Sequence, residues 1–367
     1  MTLITKMGGP ATLLGLLVVF TATACAQGIP VIPDSWATDC VGRMQINLPS
    51  NADVAAMPPK DFIKEFEIGS NQPIYLLPSG ERAGRSSSDY AGKLLISLAL
   101  SKSERTKVWV EAAARRARNQ IYLNKHGKPF FKGEHIETSR LAWHGADFYT
   151  AVLSVGDSAI FWEAEGAAEK QSLRTKRYQT IASGLKTRPP MTSPAEPGVC
   201  LPYAFIRDDD DQPFRSIGIV YQLRDHPDIT VFLQDRSAEV VSPSSERRPE
   251  TYTPSYKLND FWAPFGRDGG SYRSVWFPPG RNIKLAGYEG KAAFVEFTHP
   301  DGSVDYGYTV AVRGDPDSKE DRPDLFLYVL RHAALAKAKG IEPVSKEALL
   351  KMAETIAASV KRRPVKQ

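Results

Sequence analysis

Four stretches of this chain carry residue types that could do chemistry. Gly156–Ala159 reads Gly-Asp-Ser-Ala, a block also found around hydrolase serines, where a hydroxyl needs a neighbouring base. Ser183–Lys186 has the Ser-x-x-Lys spacing of a serine activated by an amine. His126, His135 and His144 could ligate a metal, and the acids of Asp208–Asp211 and Asp315–Asp324 could hold calcium. Each also has a plainer reading. Gly-Asp falls between two apolar runs, where a tight turn wants those residues, and a second copy of the Ser-x-x-Lys segment breaks the spacing (Ala358-Ser359-Val360-Lys361). Histidines nine apart share no helix or strand face, and neither acidic run has the Asp-x-Asp-x-Asp-Gly order with a closing glutamate. Gly-x-Ser-x-Gly and His-Glu-x-x-His do not occur. The expectation is no catalytic residue, no cofactor and no metal.

Recognition chemistry is better represented. Asn259–Arg281 sets Phe261, Trp262, Phe265, Tyr272, Trp276 and Phe277 among Gly, Pro and Arg. Trp, Tyr and Arg anchor protein interfaces, and the same aromatics could instead plug a core. The run Asp208, Asp209, Asp210, Asp211 reads as a solvated loop or as a patch for a basic partner. Those four aspartates, Trp262 and Arg267 are the candidate partner contacts.

The elements that would position them fall into two similar sets. "TIASGLKTRP" at Thr180–Pro189 returns as "TIAASVKRRP" at Thr355–Pro364. Tyr178, Ile181 and Leu185 in one, and Leu349, Met352, Ala353, Ile356 and Val360 in the other, keep the phase of an amphipathic helix. Both copies end in Lys-x-Arg, suited to a helix C-terminus, and then in a proline that stops the helix. Each half opens on a cysteine leading into a β-rich run, "CVGRMQINLP" from Cys40 and "CLPYAFI" from Cys200. Strand pairs are expected around "VGDS" in the first half and Asp301-Gly302 in the second, with further strands at "IGIVYQL", "ITVFLQD" and "RPDLFLYVL". "RHAALAKAKG" is ambiguous. A helix is expected near Glu104–Leu123, with Trp109, Ala113, Ala117 and Ile121 on its apolar face. Proline-rich 186–198 reads as a semi-rigid linker and Ser242–Ser255 as a long loop. The fold expected is α+β: two similar domains, 27–190 and 198–367, joined by a linker at 191–197. Each is a mainly antiparallel sheet packed by a terminal helix, in a clamp-like arrangement.

The chain has 367 residues, 42% of them hydrophobic, enough for two cores. Residues 1–26 read as a secretory signal: Lys6, a short apolar run, then small residues. The leader offers two cuts, after Ala26 for an ordinary signal peptidase or before Cys25 as a lipobox. Either removes or acylates Cys25 and leaves Cys40 and Cys200, which an oxidising compartment would pair. A net charge of +5 with scattered basic residues, in an exported chain, argues against nucleic acid. Membrane contact is expected only through a lipid at Cys25.

"TDCVGRMQINLP" (Thr38–Pro49), "GVCLPYAFI" (Gly198–Ile206) and the closing "IAASVKRRP" together resemble the two-domain immunity proteins paired with type VI secretion phospholipase effectors. In that family a Cys-x-Gly-Arg opening precedes a strand ending in Leu-Pro, and a Gly-x-Cys opens the second domain. One departure is "CLPYAF", where Tyr203 or Ala204 stands in place of an expected glycine, which leaves that turn's geometry open. The resemblance implies a non-enzymatic periplasmic inhibitor, free or lipid-tethered, whose partner is a cognate secreted phospholipase. An envelope scaffold lipoprotein and an unrecognised envelope hydrolase are the alternatives.

Overall fold

The computed structural model describes residues 32–49, 51–67, 74–83, 86–136, 139–166, 170–208, 214–239, 253–266 and 270–364. The leader with Cys25, and Asp209, Asp210, Asp211 and Arg267, lie outside the described residues.

In the first half, β1 (Ala37–Val41), β2 (Met44–Leu48) and β3 (Ala52–Val54) precede α1 (Pro59–Glu67), β4 (Ser87–Tyr90) and β5 (Lys93–Ile96). Then come α2 (Lys102–Lys125), β6 (Phe131–Ile136), β7 (Arg140–His144), β8 (Phe148–Val155), β9 (Ser158–Glu165), α3 (Gln171–Gly184) and β10 (Leu185–Thr187). The second half opens with β11 (Gly198–Leu201), β12 (Ala204–Arg207), β13 (Arg215–Leu223) and β14 (Ile229–Arg236). It continues through α4 (Pro254–Trp262), β15 (Ser271–Ser274), β16 (Arg281–Leu285), β17 (Tyr288–Thr298) and β18 (Val304–Val312). It closes with β19 (Asp324–Arg331), α5 (Ala333–Ala338), α6 (Lys346–Ser359) and β20 (Lys361–Arg362).

The expected hairpins form. β8 and β9 turn at Gly156 (φ +57°) and Asp157, and β17 and β18 turn near Gly302 (φ +80°). These pairs belong to one antiparallel sheet of fourteen strands among the described residues. Its order is β15-β17-β18-β19-β14-β13-β4-β5-β9-β8-β7-β6, with β16 also on β17 and β3 also on β13. The sheet crosses from one half to the other where Arg215–Gly218 of β13 pairs with Ser87–Tyr90 of β4.

Its central strands bury both faces, and their side chains alternate between two cores. Ile217, Ile219 and Tyr221 of β13 and Leu325, Leu327 and Val329 of β19 face one core, together with Ile181 of α3 and Ile356 of α6. Val220, Phe326 and Tyr328 face the other, with Phe62 and Phe66 of α1, Val108 and Ala112 of α2 and Phe261 of α4. A period of two along a strand buried on both sides requires this division.

Two small sheets explain the repeated segment. β1 and β2 form a hairpin that β20, the end of the second half, extends on the β2 side. β11 and β12 form the matching hairpin, extended on β12 by β10, the end of the first half. Each half therefore completes the opening hairpin of the other. The helices follow: α3 packs on β8 and on β12, and α6 packs on β18, β19 and β2.

Several expectations are corrected. The repeated Lys-x-Arg does not cap a helix. Its arginines lie beyond the helix, buried, where Arg188 donates to Leu201 O (2.8 Å) and Thr192 O (2.9 Å). Arg363 donates to Glu196 O and Gly198 O (2.6 Å each), so the proline-rich linker is held by its own carbonyls. Helix α2 runs as expected, but its buried residues are Val108, Ala112 and Leu123, while Ile121 is 68% exposed. Within Ser242–Ser255, α4 already begins at Pro254, because Thr253 accepts the N–H of Tyr256 and proline suits the first helical turn. The ambiguous "RHAALAKAKG" holds α5.

Candidate protein-binding surface

The hairpin motif Cys-x-Gly-Arg sits where the halves meet. Cys40 of β1 is disulfide-bonded to Cys200 of β11, with Cα atoms 5.8 Å apart. Gly42 N–H donates to Cys200 O (2.9 Å), and Cys200 N–H donates to Gly42 O (2.8 Å). Gly42 has φ +57°, and a Cβ there would lie 2.3 Å from Asp235 Oδ2, so this position needs glycine on both counts. The same Asp235 carboxylate accepts the Arg43 N–H (2.7 Å) and two donors of Arg215 (2.8 Å each). Arg215 also reaches Asp321 (2.8 Å), which Arg362 of β20 joins at 2.8 Å. Burial disfavours the Arg215 charge, yet Asp235 and Asp321 hold its pKa above the ordinary value. Asp39 is buried and paired with Arg188.

The departure at "CLPYAF" is visible as geometry. Tyr203 carries φ +56° after Pro202, the order of a type II turn, where a glycine would be at ease. A bulky residue in that region costs about 1–2 kcal/mol. Its hydroxyl donates to Val54 O at 2.6 Å, an anchor glycine could not supply.

Asp208 is not a solvated acid. It is 1% exposed and accepts from Arg43 Nη2 (2.8 Å) and Tyr90 Oη (2.7 Å), so it serves as the counterion of the hairpin arginine. Trp262 is also buried, at 2%, against Phe261 and Phe297 in the second core. Neither residue reaches the surface. From the aromatic stretch, Phe277 does, at 97% exposed, with Tyr272 at 42%. Both belong to the β15–β16 end of the great sheet, while Phe131 (44%) is exposed on β6 at the opposite end. Phe277 stood in the sequence beside Trp276, and only burial separates them: Trp276 packs on Tyr308 and under the Arg281 guanidinium.

The suspected catalytic pairs are engaged elsewhere. Ser183 Oγ donates to Gln179 O (2.7 Å), and Lys186 Nζ pairs with Glu196 (2.7 Å). Asp157 of the Gly-Asp-Ser turn pairs with Arg105 at 3.0 Å. In the Asp315–Asp324 run, Asp321 and Asp324 are held by arginines. A cleft of about 670 Å³ holds His299, Ser303, Asp305 and His332. There Ser303 Oγ donates to Asp301 (2.7 Å) and His299 Nε2 meets Asp305 (2.7 Å), so separate carboxylates occupy hydroxyl and imidazole. His144 stacks between Phe131 and Tyr149, apart from any such pairing.

Residues 192–247 match the family model described as the C-terminal domain of Tle cognate immunity protein 4. No curated protein sequence matches the chain. Its fold is similar to that of immunity protein TplEi of the type VI secretion system (T6SS) from Pseudomonas aeruginosa complexed with "L" peptide. Identity there is 16% and TM-score 0.55, over 90% of this chain and 99% of that one. The apo form of TplEi gives 16% and 0.52, over 90% and 98%. A chain of the Tle4-Tli4 complex gives 17% and 0.54, over 92% and 100%. Nine-tenths of this chain thus takes an α+β fold similar to those structures, and the sequence match to the immunity protein 4 C-terminal domain covers residues 192–247.

Proposed function

We propose that this chain is an immunity protein that binds a type VI secretion phospholipase effector and blocks it, protecting the producing cell and its kin. The observation that carries the reading is likeness to such proteins over nine-tenths of the chain, with a family match at 192–247. The chain acts by binding rather than by catalysis, in keeping with the serine, lysine and histidine side chains that other partners already occupy. It works in the periplasm, delivered by its leader, with Cys25 removed or acylated. Among the described residues no helix is long and apolar enough to cross a membrane. Units 27–190 and 198–367, joined at 191–197, present a rigid pair of arms to the effector, with Phe277 and Tyr272 in the contact.

The test is a lipase encoded beside this chain, assayed on phospholipid with and without the protein. Stoichiometric loss of hydrolysis and co-elution as one complex are expected. Unchanged hydrolysis without a complex refutes the pairing. Lipid hydrolysis by the purified protein alone would favour an envelope hydrolase instead.

A further inference from the structure

Helix α2 carries two apolar stripes, although one suffices to dock a helix on a core. The inner stripe is Val108, Ala112 and Leu123. The outer one is Val110 (59% exposed), Ala113, Ala117 and Ile121 (68%), with Tyr122 (59%) at its edge. At about 100° per residue the four outer residues fall within roughly 80° of each other.

Charge beside this outer stripe is mainly positive, with Glu111 the one acid outside the cap. The helix has seven Lys or Arg and two Glu. Some of that charge is spent inward: Arg115 pairs with Glu163 (2.7 Å), and Arg118 donates to Phe66 O. Glu104 is turned back into the cap of Ser101. Lys102, Lys107 and Lys125 are exposed, the first two near one end of the stripe and the third at the other.

We propose that the outer face of α2 docks on an anionic phospholipid surface. A helix of 24 residues is about 36 Å long, so cations at both ends follow a charged plane rather than a single partner group. Ala113 and Ala117 keep the stripe shallow, with Val110 and Ile121 as its only large members. Only Tyr122, at the edge, is an anchor a protein pocket would take, and the flat centre suits entry among headgroups, with lysine stems spreading their ammonium groups to phosphates. The inference is independent of the proposed inhibition.

The experiment is sedimentation of the chain from Gln27 onward with vesicles of phosphatidylglycerol and phosphatidylcholine, or of phosphatidylcholine alone, at low salt. Partition onto the anionic vesicles is expected to be roughly tenfold higher or more, and to collapse near about 0.5 M salt. Lys107→Glu with Lys125→Glu should remove that excess, and Val110→Ser with Ile121→Ser should lower binding several-fold, with circular dichroism unchanged. Equal partition onto both vesicles overturns the proposal, as do charge-reversed variants that bind like wild type. Loss of lipase inhibition by the reversed variants, where wild type ignores vesicles, would assign this face to a protein partner instead.

Discussion

Removing the Asp235 carboxylate should loosen the join between the halves more than any surface change. Asp235→Asn leaves one acceptor oxygen where three donors now converge, and turns an amide NH2 toward either Arg215 or the Arg43 N–H. Arg215 is 1% exposed and cannot be rehydrated without opening the sheet at β13–β14. Deleting one partner of a buried ion pair costs roughly 3–5 kcal/mol. Arg215 keeps Asp321 at 2.8 Å, which places this case near the low end, at about 3 kcal/mol. Urea unfolding with the disulfide intact measures it. A second variant separates the causes: Asp235→Leu with Arg215→Met leaves no orphaned cation, only the Arg43 N–H without its acceptor, and should recover about half of the loss although the Arg215 bonds are gone. A single variant within about 1 kcal/mol of wild type, or a double variant whose loss is the sum of two singles, would refute the reasoning.

Gly184→Ala would bring a Cβ to 2.2 Å from Arg207 O, where α3 meets β12, and is expected to cost about 2 kcal/mol or more by chemical denaturation. Replacing Cys40 and Cys200 by serine opens a loop of 160 residues and should lower stability by about 2–5 kcal/mol in the same assay. Burial chiefly lowers the His332 pKa, so the unfolded chain takes up its proton first. Stability should hold above about pH 6.5 and fall as pH drops below it, and His332→Gln should flatten that slope between pH 7.5 and 5.5 in urea titrations. Phe277→Ala, at a fully exposed site, should leave the unfolding midpoint unchanged while weakening effector capture roughly tenfold or more in a binding titration.

The legible parts of the fold were those with a local signature. Short apolar runs marked β13, β14 and β19, and turn glycines marked β8–β9 and β17–β18. Burial on an irregular segment has no such mark. The first acid of "DDDD" faces inward because Arg43, 165 positions away, waits for it. Trp262 and Phe277 are both aromatics in a loop-rich stretch, yet they end at 2% and 97% exposure. The error on α2 has a geometric origin. Steps of four residues drift by about 40° each, so a chain of them from Trp109 ends at Ile121 on the far side of the helix.

The motif that looked like a family label proves to be mechanical. Cys40 ties the hairpins, Gly42 clears Asp235, Arg43 gives its N–H to Asp235 and its guanidinium to Asp208, and β20 and β10 cross to the opposite hairpins. Two halves that merely touched could pivot on a flexible connection. Here pivoting would have to break the β4–β13 ladder, both crossed strands and the carbonyl bonds that Arg188 and Arg363 make to the linker. The halves are consequently fixed before any partner arrives, and a binding protein built this way loses little ordering entropy on association. Under the proposed function, the same rigidity leaves effector selectivity to exposed side chains such as Phe277 and Tyr272. Exchanging those residues between relatives should therefore move specificity without moving stability.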